Sequence, residues 1–168
     1  GAAYVGWNGT YSFNADGRRV AVDTLALTTV PGSPPLTGQL EFQAVGSGTF
    51  EQPRYDVKAS VRDLFLGEEG IGEMTGRLAM RGTLLSYEFE AASPRLAVSG
   101  TGRVEINDEM DGELSFRITD TSLDPYIRAF QPQLSPYTSA VVSGTIRVVG
   151  ELYNPEALRV DTTVEQVD

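Results

Sequence analysis

Neither cysteine nor histidine occurs in this 168-residue chain. Without cysteine there can be no disulfide, thiol nucleophile or thiolate metal site. Without histidine the commonest general base and zinc ligand are missing, which excludes Ser-His-Asp hydrolysis and histidine-carboxylate metal centres. Positive charge is scarce as well. Thirteen basic residues stand against 23 acidic ones, leaving a formal net charge of −10. Nucleic-acid affinity comes largely from Lys and Arg neutralising phosphates, so no nucleic acid is expected as partner. Polybasic attachment to anionic lipid is disfavoured for the same reason. A lipid held by its acyl chains is not, because that contact is apolar. No hydrophobic run approaches the roughly 20 residues of a membrane helix. The opening Gly1-Ala2-Ala3-Tyr4 does not read as a signal peptide. No glycine-rich loop opens a helix or ends in Gly-Lys-Ser or Gly-Lys-Thr, so a nucleotide cradle has no candidate.

What the chain has in abundance is alternation. Val20 and Val22, Leu40 and Phe42, Leu78 and Met80, Tyr87 and Phe89, Leu114 and Phe116, and Ile146 and Val148 each recur at every second position. Successive side chains of a strand point to opposite faces, so every such run gives one apolar and one polar face. The spacing predicts strands over 5–13, 18–28, 36–45, 55–61 and 71–78, with further runs through Leu96, Val104, Leu114, Val142 and Val160. Turns are expected at Asn14-Ala15-Asp16-Gly17, Gly46-Ser47-Gly48, Gly67 to Gly70, Gly82, Ser93-Pro94, Gly100, Gly102 and Asn107-Asp108-Glu109. The glycines are thus read as marking the ends of strands. Nearest-neighbour hairpins throughout make an antiparallel meander. Ten or so strands would stack to roughly 50 Å, and strands of six or seven residues would span about 20 Å.

One interval departs from the pattern. Ser122 to Phe130 offers a cap, Pro125 near the first turn, and Tyr126, Ile127 and Phe130 at helical spacing, predicting one short helix near 123–130 that could plug the apolar face. An internal echo links 36–61 with 142–164, both reading apolar-x-Gly-x-apolar-x-apolar before a glycine and a proline step. The whole, 1–168, is read as a single segment of a longer repeat protein.

Catalytic chemistry has few candidates. Glu68, Glu69 and Glu73, and Asp108, Glu109 and Asp111, fall at expected turns, where carboxylates are solvated. Asn107 with the second cluster could supply oxygens to calcium but lacks the EF-hand spacing. Trp7, placed in a strand, reads as a core or rim aromatic, with a ligand stack as the alternative. Arg18-Arg19 makes no basic patch. A non-enzymatic chain without metal or cofactor is expected. Alternation buries one face equally in a closed sandwich and in an open trough, and both readings stand at this point.

Order and spacing of longer motifs add a resemblance. Val22-Asp23-Thr24-Leu25-Ala26-Leu27 precedes Leu36-Thr37-Gly38-Gln39-Leu40, and Gly48-Thr49-Phe50-Glu51-Gln52-Pro53-Arg54-Tyr55 runs into Leu64-Phe65-Leu66-Gly67. Gly76 to Gly82, Gly112 to Phe116 and Leu123-Asp124-Pro125-Tyr126 follow, and Val142-Ser143-Gly144-Thr145-Ile146-Arg147-Val148 leads to Asn154-Pro155. Over most of its length the chain resembles a segment of the bacterial translocation and assembly module (TamB) family, in the wider AsmA-like group. That resemblance implies an all-β fold, an elongated, curled antiparallel sheet with a hydrophobic groove (a β-taco). It implies a periplasmic segment whose parent is anchored in the inner membrane of a diderm bacterium. It further implies phospholipid movement between inner and outer membranes and support of outer-membrane protein assembly with an Omp85-type barrel, contacted through another region. The expected partners are phospholipid acyl chains and neighbouring repeats of the same chain. The expected lining residues are Val20, Val22, Leu40, Phe42, Leu78, Met80, Tyr87, Phe89, Leu114, Phe116, Ile146 and Val148. The alternative is a closed β-sandwich or a structural protein-binding module that transports nothing.

Overall fold

The computed structural model describes residues 1–25, 34–94, 96–123 and 140–167. They form one antiparallel sheet in which spatial order follows chain order: β1 (Ala2–Val5), β2 (Thr10–Ala21), β3 (Leu36–Thr49), β4 (Pro53–Leu66), β5 (Glu69–Arg81), β6 (Leu84–Ser93), β7 (Leu96–Glu105), β8 (Asp111–Ser122), β9 (Val141–Glu151) and β10 (Arg159–Val167). The expected meander is present. The turns at Gly67, Gly82, Ser93-Pro94 and Asn107 to Glu109 fall where the sequence placed them. The short helix expected near 123–130 lies, beyond Leu123, outside the described residues. The two echoing segments each fall on a hairpin, β3–β4 and β9–β10.

Most strands are longer than the six or seven residues expected, reaching fourteen in β3 and β4. Several glycines read as turns lie inside them: Gly17 in β2, Gly46 and Gly48 in β3, Gly100 and Gly102 in β7. Asn14 to Gly17 is strand and not turn. At about 3.4 Å per residue the fourteen residues of β3, or of β4, span roughly 45 Å. Trp7 is also misplaced by the sequence reading. It occupies the tight turn between β1 and β2 and is entirely exposed.

The expected curl is absent. Among the described residues β1 and β10 each pair on one side, and packing between elements is chiefly between neighbouring strands and with two short 3-10 turns. The sheet is elongated and open, neither closed nor strongly curled. Alternation reports that a strand has two faces and is silent about curvature, which depends on twist and on where bulges fall. Here the register slips in β2 (Gly17/Val20), β3 (Thr37/Gln39), β4 (Val61/Leu64) and β8 (Ile118/Thr121). These lie toward the same strand ends, opposite Trp7, as does a further slip in β10 (Val164/Gln166). Arg19, Asp63 and Asp120 sit in these irregularities at positive φ of 54°, 52° and 41°. The β8 slip is held by side chains. Thr121, 1% exposed, accepts the Ala97 amide at 3.1 Å, and Ser143 Oγ accepts the Asp120 amide at 2.8 Å.

The tightest packing also lies at the bulged end. A 3-10 turn, Val22–Leu25, follows β2 and lays Val22 over the apolar face against Val61 and Leu64. Leu36, Leu40, Ile71 and Met74 surround this cluster. A plug on the apolar face was expected from 123–130; this one comes from a segment read as strand.

Candidate functional site

Register assigns the faces. Across the middle of the sheet, Phe42 stands opposite Ala59, Ala59 opposite Gly76, Gly76 opposite Phe89, Phe89 opposite Gly100, and Gly100 opposite Phe116. The next row toward the Trp7 end runs through Ala44, Val57, Leu78, Tyr87, Gly102 and Leu114 to Val148. No residue in either row is charged. Of the twelve expected lining residues, eleven share this face: Val20, Leu40, Phe42, Leu78, Met80, Tyr87, Phe89, Leu114, Phe116, Ile146 and Val148. Val22 is the exception, covered within the 3-10 turn at 3% exposure.

The rings lie down on the sheet. A Cβ added to Gly100 would come within 2.3 Å of Phe89 Cε1 and 3.1 Å of Phe116 Cδ1; one added to Gly17 would come within 2.2 Å of Phe42 Cε1. Each aromatic therefore leans across a neighbouring strand's glycine, a pairing that shields bare backbone and ring together. Tyr87 and Phe89, two apart on β6, are nearly parallel at 17° with centroids 6.4 Å apart. In this way Phe42, Phe89 and Phe116 become half-buried with no second layer above them among the described residues. The glycines are part of the face. Gly100→Val should force Phe89 upright and cost about 1–3 kcal/mol by overpacking, read as a lowered urea midpoint. Thr101→Val, on the opposite face, should stay within about 0.5 kcal/mol of wild type.

Sequence reasoning missed Tyr11, Phe13 and Tyr55, which gather on this face with Phe50. Their period of two was visible, but the turn assigned to Asn14–Gly17 cut β2 in half. A hydrogen bond with Tyr11, then burial, holds the Tyr55 phenol above its usual range. Burial raises that of Tyr87.

The other face is polar and cross-linked. Arg81 forks onto Asp56 at 2.7 and 2.8 Å, Arg62 pairs with Glu41, and Arg77 lies 3.5 Å from Glu88. Glu113 on β8 accepts from Arg147 Nε at 3.1 Å and Arg103 at 2.9 Å, tying β7, β8 and β9. The two guanidiniums, Arg147 foremost, hold its carboxyl below the usual range. Such exposed pairs set register more than they add stability. Open recesses on this face include ones of about 540 and 590 Å³; Asp56, Lys58, Arg77 and Glu88 line the first, Asp16, Glu41 and Gln43 the second. The apolar face is thus an open surface and not the floor of a curled trough.

Among the described residues no group of three or more carboxylates could hold a metal ion, and no helix is long and apolar enough to cross a membrane. Compared with protein families, curated proteins and solved structures, the chain matches none of them.

Proposed function

We propose that the apolar face carries phospholipid acyl chains, as one segment of a path between two membranes. The observation behind this reading is an uncharged face running across the strands and uncovered among the described residues, backed by a charged one that keeps the reverse side wetted. Each methylene moved from water onto such a surface gains roughly 0.8 kcal/mol, or about 12 kcal/mol for sixteen carbons before losses to ordering and incomplete contact. The face performs no covalent chemistry. It desolvates a chain without a deep individual site, which suits movement along it. The headgroup stays in water.

The open, elongated antiparallel sheet is compatible with a β-taco-like architecture in general. We place the chain as a periplasmic segment of a TamB-like, AsmA-group protein, with its inner-membrane anchor and any contact to an Omp85-type barrel in other regions. Support for outer-membrane protein assembly would follow from the same parent. A photoreactive residue at position 116 or 89 should capture phospholipid in cells, whereas one at Ser115 or Glu88, on the polar face, should not. Equal labelling of both faces would count against lipid carriage.

A second reading has its own observation. β10 is exposed throughout, and among the described residues β9 is the strand it pairs with, so the outer edge of its Arg159–Val164 stretch could accept a strand from another protein. A layer supplied from outside these residues would then close the apolar face as in a sandwich. That reading predicts no bound lipid by native mass spectrometry and no effect of substitutions on the apolar face on transport.

A further inference from the structure

The strand ends opposite the bulges carry an aromatic corner that lipid carriage along the face does not use. Trp7 is 109% exposed and Phe50 70%, and they occupy the neighbouring β1–β2 and β3–β4 turns. The turns lie close together: a Cβ added to Gly9 would lie 4.0 Å from Phe50 Cδ2. Phe50 in turn packs on Tyr11 with ring centroids 5.6 Å apart, so the corner continues the apolar face. Val5, 66% exposed and opposite Tyr11, extends it. Trp7 is held on a firm support. The Gly6 amide donates to the Thr10 carbonyl at 2.8 Å, the Gly9 amide to the Gly6 carbonyl at 3.1 Å, and Asn8 Oδ1 accepts the Thr10 hydroxyl at 2.6 Å.

We propose that this corner seats in the interfacial layer of a zwitterionic phospholipid bilayer, with Trp7 and Phe50 as its anchors. Position excludes the simplest alternative cover, because a strand added beside β1 would pair along the edge and leave the turn tips bare. Chemistry names the occupant. Indole and phenyl rings favour the headgroup–acyl boundary, where one side is apolar and the other wet. Charge narrows it further. Glu51 is the one charged residue in 6–9 and 49–52, and the chain carries a net −10. Anionic headgroups are therefore repelled, while the outward ammonium of a zwitterionic headgroup meets a carboxylate and an aromatic face.

Trp7 is the sole tryptophan, so the native chain reports on itself. With phosphatidylcholine vesicles its emission should move to shorter wavelength and be quenched by brominated acyl chains. Phosphatidylglycerol vesicles should do this more weakly. Phe50→Ser, with an unchanged far-UV spectrum, should raise the vesicle concentration for half-maximal shift by about tenfold or more. Phe116→Glu should leave the shift intact, separating this docking from carriage along the face. An unmoved emission in phosphatidylcholine, a stronger response to phosphatidylglycerol, or a shift that appears on raising protein concentration without lipid would overturn the proposal; the last would assign the corner to a second copy.

Discussion

Replacing Phe116 with glutamate should abolish lipid capture by the chain while leaving the sheet folded. The two effects separate because the site is half-exposed. With the face empty, the new carboxylate is hydrated, and folding loses only the partial burial of one ring beside Phe89, about 1–2 kcal/mol. With an acyl chain on the face, that hydration is stripped, and the rows flanking position 116 hold no cation to compensate. Uncompensated burial of a charge costs several kcal/mol, and every 1.4 kcal/mol is tenfold, so occupancy should fall by at least about a hundredfold. Bound phospholipid measured by native mass spectrometry, beside a urea titration of the same variant, gives both quantities. Ser115→Glu adds the same charge one residue away on the polar face and should change neither. A folded Phe116→Glu chain that still holds lipid as wild type does would remove this face from the path.

Much of the sheet was legible because alternation is a local property. Leu78-Ala79-Met80 and Leu114-Ser115-Phe116 declare their two faces without knowledge of any partner, and the antiparallel register then puts eleven of twelve expected residues on one side. Glycine was where the reading failed. Gly46, Gly100 and Gly102 look like turn residues in isolation, since a lone glycine destabilises a strand. Their stabilising partners, Phe13, Phe89 and Tyr87, come from adjacent strands that only register identifies. Strand length was lost with them, and so was the continuity of Tyr11 and Phe13 with Ala15. Curl was not legible for a different reason. It depends on where bulges align across strands, and the slips at Gly17, Thr37, Val61 and Ile118 carry no common sequence mark. Val22 fits a strand by periodicity, yet β2 stops at Ala21 and Val22 turns over the face as a plug.

That plug predicts the largest loss of stability from one truncation. Leu64 is 4% exposed and contacts Val22 and Val61 in the best-packed cluster among the described residues. Leu64→Ala removes its transfer energy and leaves a void that neighbours held by the β4 bulge fill poorly, a combination that costs about 2–5 kcal/mol. Against the roughly 5–15 kcal/mol that holds a typical domain together, this is enough to unfold a substantial fraction of molecules on modest heating. Leu78→Ala is the comparison. It deletes the same atoms from the same face, but Leu78 is 37% exposed and no turn among the described residues covers it, so the loss should stay near 1 kcal/mol. Urea midpoints of the two variants rank them directly. Equal losses would mean that the Val22–Leu25 turn contributes no burial of its own, and that stability is spread evenly along the face instead of concentrated at its bulged end.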